Sequence, residues 1–286
     1  MLRQALYLIT RVRGIGSLLL LRLGIASRAR LVIDSGSFSG VWISNPGWRY
    51  AGAVTLNLDV DTVSFIHDGR RVQLYYGSLF QLREDIRSII GIFYNELYRF
   101  PEMDRTVVFD VGASVGDSTV YLAPYSKRIY AVEPYPYAYS LLKRNLALNN
   151  LSSKVRPLNC AVSDKQGTME LTQGAIAGPT SFLRPSGLGV RANSTRIRLL
   201  TLSQLAALHR GKDRLSLKLH CMGYEHRILL NSSNGELRLF SNILVNTLLE
   251  GHEEIAKRLA AAGFKVRVSK AQGKNQALIF ASRRKG

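Results

Sequence analysis

The stretch of this 286-residue chain best suited to hold a ligand is Asp110-Val111-Gly112-Ala113-Ser114-Val115-Gly116. Gly112 and Gly116 let the backbone turn tightly and approach a bound molecule closely. The stretch follows an apolar run, Thr106-Val107-Val108-Phe109, and precedes a helix expected from about Asp117. The first N–H groups of that helix would be free to face the loop. Glu133 lies 23 positions after Asp110, at the end of the next apolar run. An acid there is placed to accept hydrogen bonds from two ribose hydroxyls. Pro134 beside it also admits a plainer reading, a strand end with a solvated acid. The glycine spacing is G-x-x-x-G, whereas a pyrophosphate favours G-x-G-x-x-G. A carboxylate at Asp110 repels phosphate and suits a cation. S-adenosylmethionine carries a sulfonium and an amino group, so the loop favours it over a nicotinamide dinucleotide.

The elements that must position these residues form three segments. Residues 1–30 read as a basic amphipathic helix, in which Leu2, Leu6, Ile9, Leu19, Leu20 and Leu23 alternate with arginines. Residues 31–104 read as short strands ending in a helix. Asp68-Gly69 between two apolar runs predicts a hairpin. From 79 to 98 the period becomes helical, with Leu82, Ile86, Ile89, Ile90, Phe93 and Leu97 on one face, and Pro101 is expected to end that helix. The domain boundary is drawn near Asp104. From Arg105 onward strands and helices alternate, which implies an α/β fold with a parallel sheet and right-handed crossovers. Strands are expected at 106–109, 128–132, 155–161, 215–220 and 243–249, with two more near 264–268 and 277–281. A β-hairpin insertion is expected over 167–200.

Phe109 to Ser118, then Ala131-Val132-Glu133-Pro134-Tyr135-Pro136, then Asn145 and Leu148-Asn149, resembles the FkbM family of S-adenosylmethionine-dependent methyltransferases. The Gly-Asp-Ser and Glu-Pro-Tyr-Pro variants resemble archaeal members. The likeness covers roughly residues 105–283. It implies a class I methyltransferase fold, Rossmann-like, with a seven-stranded, mostly parallel sheet whose last strand is antiparallel, here behind a β-rich N-terminal extension. It implies O-methylation of a hydroxyl on a sugar or another small polar acceptor. Carried over by position, Asp110, Gly112, Ala113, Ser114 and Gly116 match the cofactor loop and Glu133 the ribose acid. Asn159-Cys160-Ala161 falls where this fold contacts adenine, although Cys160 also reads as a small buried apolar residue.

The chain departs from the family after the fourth strand. The usual Lys-Ile/Leu-Asp-x-Glu-Gly-x-Glu reads Lys218-Leu219-His220-Cys221-Met222-Gly223-Tyr224-Glu225. Lys218, Gly223 and Glu225 remain, while His220 and Met222 replace two carboxylates. Upstream, Thr-Leu-Asp reads Thr201-Leu202-Ser203. On one reading His220 takes over as general base, for which an ordinary imidazole pKa of about 6.5 is suited. On another it is a strand-end histidine with one satisfied nitrogen, and the catalytic pocket has decayed. Glu225 and His252 complete the catalytic candidates. Glu250-Gly251-His252 lines the acceptor pocket, or Gly251 simply opens a helix whose Glu253-Glu254 face its dipole. His220, Cys221 and His252 lack a second close-spaced pair, so no metal site is expected.

Charge decides which partners are expected. Thirty-nine basic against 20 acidic residues give a net charge of +19. The excess lies in three acid-free segments, 1–33, 171–212 and 255–286. The field favours anionic partners: nucleic acid, anionic lipid or an acidic acceptor. An RNA methyltransferase or RNA-binding protein, and a non-catalytic family member, are therefore the competing readings. Arg184, Arg191, Arg196 and Arg198, with Phe182, lie in the insertion, where they suit a lid that clamps phosphate or carboxylate, or an exposed hairpin of ordinary charge. The segment 1–25 suits peripheral membrane contact or packing on its own domain. Its apolar run Gly14–Leu21 is too short to span a bilayer, which needs about 20 residues. Two cysteines, Cys160 and Cys221, make no disulfide framework, so a cytoplasmic protein is expected. The composition excludes disordered and collagenous classes.

Overall fold

Short β-branched and aromatic runs between turn residues build strands in the first hundred residues. The computed structural model describes residues 12–13, 29–33, 41–43, 55–57, 62–76, 88–172, 194–221, 223–247, 251–270 and 277–283. The chain divides into two units, Met1–Leu97 and Tyr98–Gly286, so the boundary drawn near Asp104 falls just inside the second.

The first unit carries a six-stranded sheet in sequence order: β1 (Val12–Arg13), β2 (Ala29–Ile33), β3 (Val41–Ile43), β4 (Thr55–Asn57), β5 (Thr62–His67) and β6 (Arg70–Tyr75). The β3–β4 pair is parallel and the other four pairs are antiparallel. Asp68 (φ 47°) and Gly69 (φ 71°) make the β5–β6 turn. Positive φ at both central residues matches the twist of the flanking strands. Val72, Leu74 and Tyr76 alternate with more exposed residues and are buried, as are Ile89, Ile92 and Phe93. Phe65 meets Phe93 edge-on, with centroids 4.9 Å apart. Two expectations are corrected. Val12–Arg13 pairs with Val32 and Ile33, so no single helix runs through 1–30. The stiff β-branched Val12 favours extension. The helix expected over 79–98 is described from 88 and ends at Tyr94. Glu96 turns left-handed (φ 49°), and Pro101 opens a separate single turn, Pro101–Met103. Leu82 and Ile86 lie outside the described residues.

The second unit is the α/β part. Its strands are β7 (Val107–Val111), β8 (Arg128–Val132), β9 (Val155–Leu158), β10 (Ala161–Val162), β11 (Gly167–Thr172), β12 (Ser194–Leu200), β13 (Leu215–Leu219), β14 (Asn242–Thr247), β15 (Lys265–Lys270) and β16 (Ala277–Ser282). Its helices are α1 (Asp117–Leu122), α2 (Pro136–Leu148), α3 (Leu202–Ala206), α4 (Tyr224–Asn231), α5 (Asn234–Leu237) and α6 (His252–Ala261). The main sheet has seven strands in the order β15-β16-β14-β13-β7-β8-β9. Only β16 runs against its neighbours. This is the class I methyltransferase fold, Rossmann-like, with its antiparallel last strand. All five residues of β7 are buried, which explains the apolar run up to Phe109. Phe109 stacks on Tyr130 at 4.8 Å and meets Phe240 edge-on at 5.8 Å.

From β7 the chain winds outward through β8 and β9, then returns to lay β13 on the other side of β7. Strand order reverses there, and in open α/β sheets ligands bind outside the carboxyl ends of the strands at such a point, here those of β7 and β13. The third strand is shorter than expected. It stops at Leu158, and Ala161 pairs with Leu199 in a separate three-stranded sheet, β10-β12-β11. The insertion expected over 167–200 is the antiparallel pair β11–β12. Phe182, Arg184 and Arg191 lie outside the described residues. Among the described residues, no helix is long and apolar enough to cross a membrane. Leu217 is fully buried at the centre of the sheet. Leu217→Ala is predicted to cost about 2–5 kcal/mol in urea unfolding, and a loss below about 1 kcal/mol would contradict its central place.

Candidate functional site

The loop after β7 turns left-handed three times, at Gly112 (φ 77°), Ser114 (φ 50°) and Gly116 (φ 94°). A Cβ on Gly112 would collide with the carbonyl oxygen of His220, and one on Gly116 would lie 2.7 Å from Cδ1 of Leu142. Glycine is therefore required by close approach as well as by backbone angle. The N–H groups of Gly112 and Ala113 both donate to the Val132 carbonyl at 3.0 Å, which ties the loop to the end of β8. Directly beyond lies Glu133, 6% exposed. Its Oε2 accepts from the Ser114 N–H at 2.8 Å and its Oε1 from the Tyr135 N–H at 2.9 Å. Burial pushes this carboxyl up to about 7, against the pull of the two N–H groups. The plain strand-end reading of Glu133 fails, because a solvated acid would not be buried and gripped in this way. Asn159 donates through Nδ2 to the carbonyls of Glu133 and Pro134, both at 2.9 Å. Its Oδ1 is left as an acceptor. Cys160 is buried, and burial raises its thiol pKa while Arg198 pulls it down. Ala161 lies one residue on, in β10.

Asp110 does something the sequence reading did not foresee. Its carboxylate is fully buried, and Oδ1 is 2.7 Å from Nζ of Lys218, which is 1% exposed. Oδ2 accepts from the Ser118 hydroxyl at 2.8 Å and the Thr119 hydroxyl at 2.6 Å. Lys218 also donates to the Gly112 carbonyl at 3.1 Å and to Ser118 Oγ at 3.2 Å. Burial lowers the Lys218 pKa, but Asp110, Tyr98 and Asp117 together outweigh it, and the net shift is upward. The cation that Asp110 suits is thus internal, and Asp110 acts on the loop from beneath.

At the end of β13, His220 Nδ1 lies 2.9 Å from the Tyr98 hydroxyl. That hydroxyl accepts from Asn246 Nδ2 at 3.1 Å, and the Tyr98 ring lies 5.0 Å from Lys218 Nζ. Burial raises the Tyr98 pKa to about 12. Burial, then the Lys218 charge, lowers the His220 pKa to about 3. Of the two readings of His220, a base this weak speaks against the general base and for the strand-end histidine with one satisfied nitrogen. Glu225 is corrected more firmly. It is buried, and its two oxygens accept the N–H groups of Cys221 and Gly223 (2.6 Å for the latter), so it closes the loop into α4. His252 is half-buried at the first position of α6, behind Gly251 (φ 99°), and makes no hydrogen bond to His220 or Glu225 among the described residues. The structure therefore brings Asp110, Gly112, Ala113, Ser114, Gly116, Glu133, Asn159 and His220 to the carboxyl ends of β7, β8, β9 and β13, and leaves Glu225 in a structural place.

Tyr98 and Asn246 were missed, and no local pattern marks them. Lys218 carried a signal: a lysine within Leu215-Ser216-Leu217-Lys218-Leu219, a run buried from its second residue on, must have a partner. Removing that lysine strands the Asp110 charge. Lys218→Met is predicted to cost about 3–5 kcal/mol. Adding Asp110→Asn should recover part of the loss in urea unfolding. A double variant no more stable than the single one would mean the pair is not coupled.

With the geometry in place, comparison with known proteins is informative. A sequence profile of the methyltransferase FkbM domain matches residues 110–266. Methyltransferase sdnD of Sordaria araneosa is 43% identical over 68 residues, which are 23% of this chain and 26% of that protein. The match thus spans about a quarter of the relative's length. The solved methyltransferase FkbM of Methylobacillus flagellatus KT is 15% identical and covers 67% of this chain and 47% of its own, with a TM-score of 0.43. An rRNA methylase of Streptococcus thermophilus is 12% identical and covers 68% of this chain and 96% of its own, with a TM-score of 0.42. The profile match takes in more than half of the chain and contains the loop, Glu133 and the β13 end, and on it the chain belongs to the FkbM methyltransferase family.

Proposed function

We propose that the site between the 112–116 loop and Glu133 binds S-adenosylmethionine, and that the chain methylates a hydroxyl of a sugar or another small polar acceptor. The observation that supports this most is the buried Glu133 carboxylate, gripped by the Ser114 and Tyr135 N–H groups beside a glycine-turned loop. Two N–H bonds use only part of a carboxylate's accepting capacity, so two ribose hydroxyls still fit. Asn159 Oδ1 suits an exocyclic adenine amine, and Cys160 and Ala161 flank it. When bound, S-adenosylmethionine supplies an electrophilic methyl group on a sulfonium. In-line displacement at that carbon needs positioning more than strong acid–base help, which accords with a site where Asp110 and Glu225 are already engaged.

Two competing readings keep a specific observation each. The net charge of +19, with Arg196 and Arg198 on β12, favours a nucleic-acid acceptor. RNA binding that falls steeply between low and moderate salt would support it, and salt-insensitive or absent binding would remove it. His220 and Met222, in place of two carboxylates of the family's motif, favour a non-catalytic member. Transfer of a labelled methyl group to any hydroxylated acceptor would remove that one. A cytoplasmic setting is part of the same proposal, with the 1–25 segment either in peripheral membrane contact or packed on its own domain.

The Glu133 shift gives a signed test. Ribose hydroxyls donate to the ionised carboxylate, so binding lowers its pKa and releases a proton. Affinity should therefore rise with pH. Methylthioadenosine is the suitable probe, since it keeps the ribose without the titrating amino acid. It is predicted to bind about tenfold more tightly at pH 8 than at pH 6. An affinity that does not change over that window would contradict the placement of Glu133 on the ribose.

A further inference from the structure

His220 Nε2 is buried and has no hydrogen-bond partner among the described residues. The other ring nitrogen decides what Nε2 can do. The Tyr98 oxygen already accepts from Asn246 Nδ2, so its own proton is free to be donated, and Nδ1 of His220 is the neighbour at 2.9 Å. A neutral imidazole that accepts at Nδ1 carries its proton on Nε2. The Lys218 ammonium, which sits against the Tyr98 ring, discourages a second proton on His220. The His220 backbone is fixed as well. Its N–H donates to the Val111 carbonyl at 3.1 Å, and its carbonyl lies where a Gly112 Cβ would be.

We propose that Tyr98 and Asn246 hold His220 as its Nε2–H tautomer, so that it serves as a fixed hydrogen-bond donor to a carboxylate at the site and not as a base. Tyr98 and Asn246 are then positioning residues, acting only through His220. The carboxylate comes from one of two sources, the methionine part of the cofactor or the methyl acceptor. The inference rests on the cofactor reading for its ligand, while the tautomer itself is a property of the free protein. The loss of the family's acid at this position then has a meaning: a donor has replaced an acceptor.

The test is long-range nitrogen–proton correlation spectroscopy of the imidazoles, with the His220 signals assigned by their loss in His220→Gln. In the free wild-type protein the expected result is a protonated Nε2 and a bare Nδ1. A protonated Nδ1 overturns the proposal, whatever the cofactor does. S-adenosylhomocysteine, methylthioadenosine and acetate are then added separately. A shift at Nε2 with S-adenosylhomocysteine but not methylthioadenosine assigns the carboxylate to the cofactor. A shift with acetate added to the methylthioadenosine complex, and none with S-adenosylhomocysteine, assigns it to the acceptor. No shift with any of them overturns the proposal. In the cofactor case His220→Phe weakens S-adenosylhomocysteine binding by roughly tenfold or more, while methylthioadenosine binding is unchanged. His220→Gln, which keeps an N–H donor, recovers part of the loss. Tyr98→Phe, if it folds, mixes the two tautomers. Equal affinity of His220→Phe and His220→Gln for S-adenosylhomocysteine contradicts the cofactor assignment.

Discussion

The ion pair between Asp110 and Lys218 is the contact on which the rest of the site depends. Both side chains are buried, and moving an isolated charge out of water costs several kcal/mol even after the protein relaxes. The pair is tolerable because the two charges lie against each other and both groups gain hydrogen bonds besides. The ammonium donates to the Gly112 carbonyl and to Ser118 Oγ, and it lies 2.7 Å from Asp110 Oδ1. The free carboxylate oxygen takes two hydroxyls from the first turn of α1. One contact therefore joins β7, β13, the glycine loop and α1. The Gly-Asp-Ser variant of the loop supplies Ser118, so motif and ion pair are parts of the same construction.

That fixed base lets the loop above it adopt three left-handed residues and still present one geometry. Ser114 pays the steric cost of a positive φ without being glycine. In return its N–H reaches Glu133, which couples the loop to the end of β8. Glu133 is in turn left buried and reluctant to ionise. A group in that state favours any ligand that brings donors to it. The same logic recurs at His220, where Tyr98, itself held by Asn246, occupies one ring nitrogen, and the other has no partner among the described residues.

Much of this was legible in the sequence. The loop, Glu133, the hairpin at Asp68-Gly69 and the order of strand and helix all follow from local patterns: glycine spacing, period and turn chemistry. What was not legible depends on contacts far apart in the chain. Tyr98 reaches His220 across 122 positions and Asn246 across 148. Nothing near Tyr98 distinguishes it from a core aromatic. Lys218 was visible as an oddity, but its partner could not be read from β13 alone. Glu225 was a carboxylate in a motif position, and only geometry reveals that backbone N–H groups consume it. The sequence reading extends the third strand to Ala161. The chain instead changes sheets after Leu158, where Asn159 caps the carbonyls of Glu133 and Pro134.

The central claim is that Glu133 and the 112–116 loop form a cofactor site, and calorimetric titration of S-adenosylmethionine tests it most directly. The protein used would be purified, folded and free of cofactor, with Glu133→Ala measured alongside under the same conditions. Micromolar binding that disappears in the variant, with the variant still folded by circular dichroism, is the result this account predicts. Absence of binding to the wild-type protein, or equal binding to both, would contradict it.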